Sequence, residues 1–598
     1  MMQNGETAKS VKRHSFLSSW PLRNSLQTWR LTFSKKYKFQ FIVLLGSSFL
    51  NSVNAQDKKT DSNKIQNWGP PESSPTYIID GQKIKSESAP PYNHFLNQEY
   101  TDDFNRPQDF SDSSGPGYVY TGFKPLLFPQ RPWYEWRIND SLLKKESLFY
   151  RKLFQENLFI FDDSASKFHA TLDPLFNFQF SIDRSDSNKK YYQNTRGVLI
   201  QGNIGDKFAF SSIFWENQED YPTYLKNFVN EYYVVPGNGR TKSFGTSGFD
   251  YSMSEAYLSF SPSSHFNFQG GYGKNFIGDG YRSLLLSDNS FAYPYIRITT
   301  NFWHIQYTNL YTEFIDPFAD PAIVTNVEGL FQRKAGAFQY LSWDIIPQVE
   351  WGFFQGMIWT AGDQYNHMSF NVNYFDPVIG VNSLVYGLGN STNVLLGSTL
   401  KYKITRNFMA YGQLVVGDFP QSGNMQSIYN QTGYQAGVKY YNQYGEVQLE
   451  YNQVRPYTYS NSDSLQSYSH YDQALGDPLG ANFKELIAIV NLRYRHFSIH
   501  FQVNHALEGL DSTHTNYGNN IFLPLPNNNA NVTMLQGIKS TLNYMDVHIS
   551  YLLNPHTNMN LTIGVSRRTL TNSLNNQPAM TLFYFGFRTS IENMYVDF

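Results

Sequence analysis

Apolar and polar side chains alternate one by one along many stretches of this chain. In 559–566 every odd-numbered residue is large and apolar, and 446–452 and 497–504 follow the same pattern. Side chains of a β-strand point alternately to its two faces, so each stretch predicts a strand with one apolar and one polar face. Together with an export signal and the terminal Phe598, the pattern predicts an all-β fold: a transmembrane antiparallel β-barrel with lipid outside and a polar lumen inside.

The composition fits such a barrel and excludes other classes. Aromatic residues make up 17% of the chain, as expected for aromatic belts at two membrane interfaces, and the mean hydropathy of −0.46 is too low for a bundle of membrane-spanning helices. The net charge of −2 gives no bulk attraction to nucleic acid. Because cysteine is absent, disulfides, thiol catalysis and the acylated cysteine of a lipoprotein are excluded.

The first 55 residues predict a secretory signal peptide. Lys35, Lys36 and Lys38 precede the apolar run 39–50, and a small-residue site ending at Ala55 predicts cleavage there. A signal anchor is the alternative, but the run is short for a membrane span. We therefore expect export to the cell outer membrane, with both chain ends in the periplasm and the long loops outside.

Two segments separate the signal peptide from the barrel. Residues 56–140 are polar, rich in Pro, Ser, Asp and Asn, and predict an irregular periplasmic segment, whose aromatic stretch 118–136 can pack against the rest. Residues 141–165 predict a helical element capped by Asp140 or Ser141. It is either a short helix packed on the barrel or a periplasmic plug.

The remainder, 166–598, divides into about eighteen strands, an even number as in bacterial single-chain barrels. We place them at 168–183, 192–203, 206–217, 252–260, 263–272, 292–300, 302–314, 329–342, 345–359, 393–404, 407–418, 431–442, 445–456, 484–495, 497–506, 534–553, 557–568 and 578–590. Short turns and longer connections alternate between them, which predicts that all the long connections lie at one end of the barrel.

Charged residues on the polar faces predict a charged lumen, because a charge facing lipid costs several kcal/mol near the midplane. This inward set comprises Lys439, Glu446, Glu450, Arg493, Arg495 and His500. Opposite charges can simply pair across a wet or plugged lumen, or they can serve transport.

Two long loops carry the candidate ligand-binding residues. In the first, which contains Asp279, Tyr281 and Arg282, the charged pair can bind each other or a polar ligand, and the leucines 284–286 predict that the loop folds inward. Tyrosine rings and planar amide or guanidinium groups suit sugars. The second loop supplies the glycan-binding candidates Arg455, Tyr457, Tyr459, Tyr468, His470, Tyr471 and Asn482. The alternative is that its tyrosines form the outer aromatic belt.

No catalytic constellation emerges from the sequence. It has no Gly-x-Ser-x-Gly elbow, no His-Glu-x-x-His and no phosphate-binding loop. His470 with Asp472 is the one hint of a hydrolase, and the thirteen histidines show no metal-binding spacing. We therefore expect no enzymatic activity, no cofactor and no metal.

Several motifs together resemble the capsule-assembly (Wzi-like) outer-membrane family, in particular its Bacteroidota branch, whose members are called gliding-motility protein RemB. They are Asn194-Thr-Arg-Gly197, Glu216-Asn-Gln218, the loop 276–288, Asn452–Tyr459 and Gly480–Phe483. The resemblance spans about 148–598 and implies an eighteen-stranded barrel with an N-terminal helical element. It also implies lectin-like holding of capsular or other surface polysaccharide. Residues 56–140 have no counterpart in the resemblance.

Besides an outer-membrane hydrolase that would use His470 and for which we have no substrate to propose, three functions remain open at this point. The first is non-enzymatic anchoring or assembly of surface polysaccharide. The second is a gliding-motility or adhesion component that acts through protein partners, such as gliding or secretion machinery. The third is a pore or transporter. All three fit one scaffold, because a fold alone does not determine a function.

Overall fold

The computed structural model describes the barrel and several segments packed against it. Described are residues 76–79, 82–85, 121–125 and 147–598, except 164, 206, 264, 318–330, 363–375, 382–391, 406, 419–425, 443, 495, 527–530, 555, 575–577 and 590–593. They all belong to one compact unit, Ser73–Phe598.

Eighteen antiparallel strands form a closed barrel, which confirms the predicted fold class. They are β1 Phe168–Asp183, β2 Lys189–Ile204, β3 Phe208–Asp220, β4 Gly248–Ser263, β5 Phe266–Gly273, β6 Tyr293–Phe302, β7 Ile305–Asp316, β8 Gln332–Ile346, β9 Val349–Gly362, β10 Asn393–Lys403, β11 Phe408–Asp418, β12 Gln431–Asn442, β13 Gly445–Val454, β14 Phe483–Tyr494, β15 Phe497–Leu510, β16 Ile538–Asn554, β17 Met559–Asn572 and β18 Met580–Arg588. Each strand pairs with its sequence neighbours, and β18 closes the barrel on β1.

Short turns and long connections alternate as predicted. The connections after β2, β4, β6, β8, β10, β12, β14 and β16 are short, whereas those such as 221–247, 274–292, 455–482 and 511–537 are long. We call the two rims the short-turn end and the long-loop end. Predicted and observed strand bounds differ by a few residues, mainly because the observed strands near the long-loop end continue beyond the apolar alternation.

The outer wall is apolar and has an aromatic belt. Leu258, Ile296, Leu449 and Ile563 point outward with 47–69% of their surface exposed. Exposed aromatic residues gather beside the short turns, namely Phe208, Phe266, Phe302, Trp303, Tyr444, Tyr494, Phe497 and Tyr551. Apolar side chains between belts of aromatic residues are typical of a barrel wall in lipid.

Several smaller elements complete the described part of the chain. They are helix α1 Leu148–Phe154, helix α2 Thr223–Tyr232, a short 3-10 turn Ser464–Gln466, and the strands Thr76–Ile79, Gln82–Lys85, Phe123–Lys124, Phe159–Asp163, Lys242–Phe244, Phe276–Ile277, Ser469–His470 and Gln473–Ala474. Within the described part of the chain, no helix is long and apolar enough to cross a membrane.

Helix α1 is shorter than predicted, and its cap differs. Ser147 caps it by accepting a hydrogen bond from the Tyr150 N–H, whereas 140 and 141 lie outside the described residues. None of its residues is buried, and Asn554 holds it through bonds to the carbonyls of Leu153 and Glu156. The helix is therefore fastened to the short-turn end and contributes no buried side chain to a plug.

The last strand is short, and this brings the C terminus inside. β18 pairs with the upper half of β1, while Phe159–Asp163 pairs with its first residues. The tail 594–598 then lies within the barrel, where the Phe598 ring meets the ring of Phe228 in α2, with centroids 5.3 Å apart. The tail thus packs inside the barrel and Phe598 is not part of the wall, whereas the placement of both chain ends on the periplasmic side stays a prediction.

Candidate functional site

Four segments that are distant in sequence fill the lumen, and we call them together the plug. They are 121–125, 274–292, 455–482 and 594–598. Phe123 and Lys124 pair as a tiny sheet with Phe276 and Ile277, and the Gly122 N–H donates to Glu350 Oε1 of the wall at 3.0 Å. Residues 121–125 of the predicted aromatic stretch 118–136 thus pack inside the barrel, although 56–140 was predicted to be periplasmic.

The loop 274–292 forms the centre of the plug. Leu284, Leu285 and Leu286 have no exposed surface, which confirms the prediction that this loop folds inward. Its backbone polar groups are satisfied by the wall: the Leu284 N–H donates to Gln413 Oε1 at 2.8 Å, and Gln413 Nε2 donates to the Ile277 carbonyl at 3.0 Å. Such pairing allows an irregular segment to be buried.

Arg282 is the charged centre of this loop. Its Nη2 lies 3.1 Å from Glu485 Oε1 on β14 and 3.1 Å from Asp597 Oδ1 in the C-terminal tail. The guanidinium also lies against the rings of Tyr281 and Tyr595, 5.0 and 5.3 Å from their centroids, and these two rings pack edge-on against each other. Arg282 thus holds the loop, the wall and the tail together.

Asp279 does not pair with Arg282, although the two are close in sequence. Asp279 Oδ1 lies 2.7 Å from Lys401 Nζ on β10 instead. Tyr281 donates its hydroxyl to Asp597 Oδ2 at 3.0 Å. The first loop thus uses its predicted ligand-binding side chains to attach itself to the barrel and to the tail.

The tyrosines of the second loop are buried as well, so they do not form an outer aromatic belt. Tyr459 and Tyr468 stack with centroids 5.6 Å apart, and their hydroxyls donate to the carbonyls of Leu284 and Leu285. Tyr457, closer to the long-loop end, donates to the Asn516 carbonyl at 2.7 Å. These hydroxyls bind main-chain carbonyls of neighbouring loops, which fixes the shape of the plug.

The other predicted residues of this loop are engaged in the same way. Asn482 bonds the carbonyls of Gly509 and Gln536 and accepts from the Leu535 N–H. Tyr471 packs edge-on against Phe291. Arg455 differs, because it is partly exposed while its Nε donates to the Asn430 carbonyl at 3.0 Å. Whether these residues touch a glycan stays a prediction.

His470 is placed for packing and not for proton transfer. Its Nδ1 accepts from the Ile315 N–H at 3.0 Å, and its Nε2 donates to the Ala292 carbonyl at 3.2 Å. Burial lowers the pKa of His470 to about 3, so the ring is neutral. Both ring nitrogens are therefore bound to main chain, an arrangement that gives a hydrolase no support.

Three of the predicted inward charges, Glu450, Glu446 and Lys439, contact groups inside the barrel. Glu450 accepts the N–H groups of Tyr281 and Arg282 and the hydroxyl of Tyr411 at 2.7–3.0 Å. Glu446 accepts from Asn491 at 2.8 Å, and Lys439 lies over the Tyr411 ring. Arg493 is partly exposed near the short-turn end, and Arg495 is outside the described residues.

Two places in the barrel were not singled out as sites from the sequence, although one residue of each, His500 and Arg455, was. The first is a cavity of about 270 Å³ between the plug and the wall, lined among others by Gln193, Asn217, His500, Asp546, His548 and Tyr584. The second lies at the long-loop end, and we call it the outer patch: the partly exposed side chains of Tyr429, Arg455 and Asn516, which lie around Tyr457. Strand periodicity points to inward side chains but cannot say which of them the plug leaves uncovered.

The outer patch is well supported from below. Tyr429 is 42% exposed, and Arg455 beside it is held by the carbonyl of Asn430. Underneath, Ile428, Tyr457, Leu525 and Val532 pack into one apolar cluster that joins three loops. A partly exposed ring, guanidinium and amide are thus fixed on a rigid base, an arrangement suited to a sugar.

Comparison with known proteins found distant matches among solved structures. No protein-family model and no curated relative matches the sequence. Among solved structures, Wzi of Escherichia coli, an outer-membrane protein involved in group 1 capsule assembly and described as a carbohydrate-binding β-barrel, is 14% identical. Its TM-score is 0.48, with 83% of this chain and 99% of Wzi covered.

Two further matches are more distant. The outer membrane protein OprD from Pseudomonas aeruginosa is 10% identical, with a TM-score of 0.39 and coverage of 70% of this chain and 92% of OprD. OccAB2 from Acinetobacter baumannii is 10% identical, with a TM-score of 0.38 and coverage of 70% and 97%. The closed apolar wall makes this chain an outer-membrane β-barrel.

Proposed function

We propose that this barrel anchors or assembles a surface polysaccharide, without enzymatic activity, through the outer patch. One observation supports the proposal most. The lumen is filled by the plug, and the long-loop end above it presents an aromatic ring together with planar polar groups on a packed base. Tyr429 offers a ring face, and Arg455 and Asn516 offer planar hydrogen-bonding groups, which are the two requirements of a sugar ring.

The proposal includes an orientation in the cell. The signal peptide 1–55 directs export and is cleaved after Ala55. The short-turn end then faces the periplasm and the long-loop end faces the medium. In this orientation the outer patch is presented to polysaccharide at the cell surface, in keeping with the Wzi-like resemblance of the sequence motifs. Membership of the RemB branch and a role in gliding stay predictions.

The plug favours this function over a pore. Arg282, Tyr459 and Tyr468 fasten segments across the lumen by buried bonds, and a transporter would have to break them in each cycle. An ion pair and hydrogen bonds inside a low-dielectric interior are costly to leave unmade. The plug therefore acts as the fixed base of the outer loops.

The test is binding of the detergent-folded protein to polysaccharide purified from its own cells. We expect saturable binding that weakens at least about tenfold when Tyr429 and Arg455 are both replaced by alanine, as for the loss of two hot-spot side chains. Tyr444→Ala, an exposed tyrosine at the short-turn end, is the matched control and should bind as the wild type does.

Folding of each variant is checked by its heat-dependent mobility on a denaturing gel. Absence of saturable binding by the wild type would reject the polysaccharide function. Equal binding by the double variant and by Tyr444→Ala would keep the function but remove the outer patch as its site.

A further inference from the structure

One buried arginine of the wall lies without a counter-charge. Arg297 is on the inward face of β6 with 1% of its surface exposed, while its neighbour Ile296 points outward. Its guanidinium makes a single hydrogen bond, from Nη1 to the carbonyl of Pro125 in the plug at 3.1 Å. Within the part of the chain that the structure describes, its Nε and Nη2 atoms have no hydrogen-bond partner, and no carboxylate pairs with it.

Other buried cations of the lumen are paired. Arg282 Nη2 lies 3.1 Å from a carboxylate oxygen of Glu485. Lys401 Nζ lies 2.7 Å from a carboxylate oxygen of Asp279. Arginine stays protonated in proteins, and burying an unpaired charge is costly. Arg297 therefore needs a negative charge beside it that none of the described residues supplies.

Glu255 on β4 is not placed to supply this charge. Its carboxylate lies beside Gly273, which pairs with Tyr293, four residues before Arg297 on β6. Four residues of a strand span about 13 Å. The Phe123 ring, whose centroid is 5.5 Å from the guanidinium, adds a cation–π contact but does not neutralise the charge.

The side chains next to Arg297 are hydrogen-bond donors that also lack partners. Gln269 on β5 is directly opposite Arg297 in the strand register, and neither polar atom of its buried amide is bonded. The hydroxyl of Tyr295, two residues before Arg297 on the same face, is unbonded as well. Because buried polar groups are nearly always hydrogen-bonded, three adjacent side chains without partners indicate a ligand that satisfies them together.

The unbonded edge of the guanidinium indicates what this ligand is. The N–H groups of Nε and Nη2 on one edge point the same way, so they can donate to one anion together. No bond holds the amide of Gln269, so it can turn its Nε2 to the same point. None of these atoms is exposed, and such an enclosed place suits a single-atom anion better than phosphate or a sugar carboxylate.

We propose that Arg297 and Gln269 bind one halide ion, with bromide as the probe, between the wall and the plug segment 121–125. The hydroxyl of Tyr295 can donate to the same ion. The ion neutralises Arg297, whose other edge bonds the Pro125 carbonyl. It therefore helps to fasten the segment 121–125 to the wall, at a place separate from the outer patch.

The test is a crystal structure of the full-length barrel folded in detergent in the presence of sodium bromide. We expect an anomalous bromide peak within hydrogen-bonding distance of Arg297 Nε and Nη2. Gln269→Glu places a carboxylate directly opposite the guanidinium and should abolish the peak, as should Arg297→Gln. The matched control is Gln339→Glu on β8, an equally buried glutamine that accepts a bond from Gln355, and it should keep the peak.

Unfolding by urea gives a second measurement. Exchanging gluconate, which is too large for the enclosed site, for bromide at constant ionic strength should raise the unfolding midpoint of the wild type, because the ion binds only the folded state. Gln269→Glu should show no such rise, and an equal rise in both proteins would overturn the proposal. A water molecule or a carboxylate of this chain beside Arg297, in place of bromide, would also overturn it. If the variants fail to fold, the wild-type crystal alone decides.

Discussion

Arg282 in the central plug loop and Asp597, the penultimate residue of the chain, form a buried ion pair with Nη2 and Oδ1 3.1 Å apart. Asp597 also accepts hydrogen bonds from Gln502 and Asn504 on the wall, each at 2.7 Å. This one carboxylate therefore links the C terminus to a long-loop segment and to β15. The end of the chain is part of the plug.

Replacing Asp597 by alanine should destabilise the folded barrel by about 3 kcal/mol. Breaking a buried pair typically costs about 3–5 kcal/mol, and Glu485 remains beside Arg282 to limit the loss. Glu313→Ala, which breaks an ion pair with Arg333 that is partly exposed, should cost less than about 1 kcal/mol. Denaturant unfolding in detergent measures both, and equal effects would show that the Asp597 pair does not bear on stability.

Deleting residues 594–598 should loosen the plug and raise ion conductance. The tail lies beside Arg282, and the carbonyl of Val596 in the tail accepts a hydrogen bond of 2.7 Å from the Tyr224 hydroxyl. Its loss leaves these groups to water, which can then enter the lumen. Planar-bilayer recordings should show little conductance for the wild type and discrete openings for the truncated chain. Large stable wild-type conductance would contradict a plugged lumen.

A lysine on the lipid-facing wall should hinder insertion according to its depth. Ile563→Lys places a charge where the wall is apolar and should cost about 2–4 kcal/mol, whereas Tyr444→Lys beside a short turn should cost about 0–1 kcal/mol. Folding yields into lipid vesicles compare the two. Equal yields would argue against a membrane-spanning wall at Ile563.

His470 should make stability fall in mild acid. Its pKa is lowered to about 3 in the folded state, against about 6.5 when unfolded, so the unfolded chain binds the extra proton between these values. Above pH 6.5 the His470 ring is neutral in both states and costs no stability. Between pH 6.5 and pH 3 the free energy of unfolding falls progressively, because the unfolded chain binds the proton first. His470→Gln should remove this dependence of the free energy of unfolding on pH. Comparing the unfolding free energies of wild type and variant at pH 5 and pH 7.5 isolates the effect of His470.

That comparison also separates His470 from its neighbour Asp472. Burial raises the pKa of Asp472 to about 7, so its effect has the opposite sign and favours the folded state as pH falls. Asp472 is present in both proteins, and its effect cancels in the difference. An identical pH dependence for wild type and His470→Gln would show that this ring is accessible to protons in the folded barrel.

The alternation of apolar and polar residues determined the wall. It predicted eighteen strands, with short turns and longer connections alternating between them. It also predicted the inward charges Lys439, Glu446 and Glu450, because a period of two assigns every side chain of a strand to the lipid or to the lumen. The three leucines 284–286 also indicated that their loop turns inward, since such a run is not left exposed.

Only the tertiary structure decided what fills the lumen. Asp279 binds Lys401 and not Arg282, the tyrosines 459 and 468 build the plug, and Phe598 lies inside, because each of these contacts joins segments far apart in sequence. His500 and His548 lie side by side because of the register between β15 and β16, and the spacing of residues along one strand cannot predict this pairing. Strand periodicity fixes the face of a residue, and only the packing of distant segments fixes its partner.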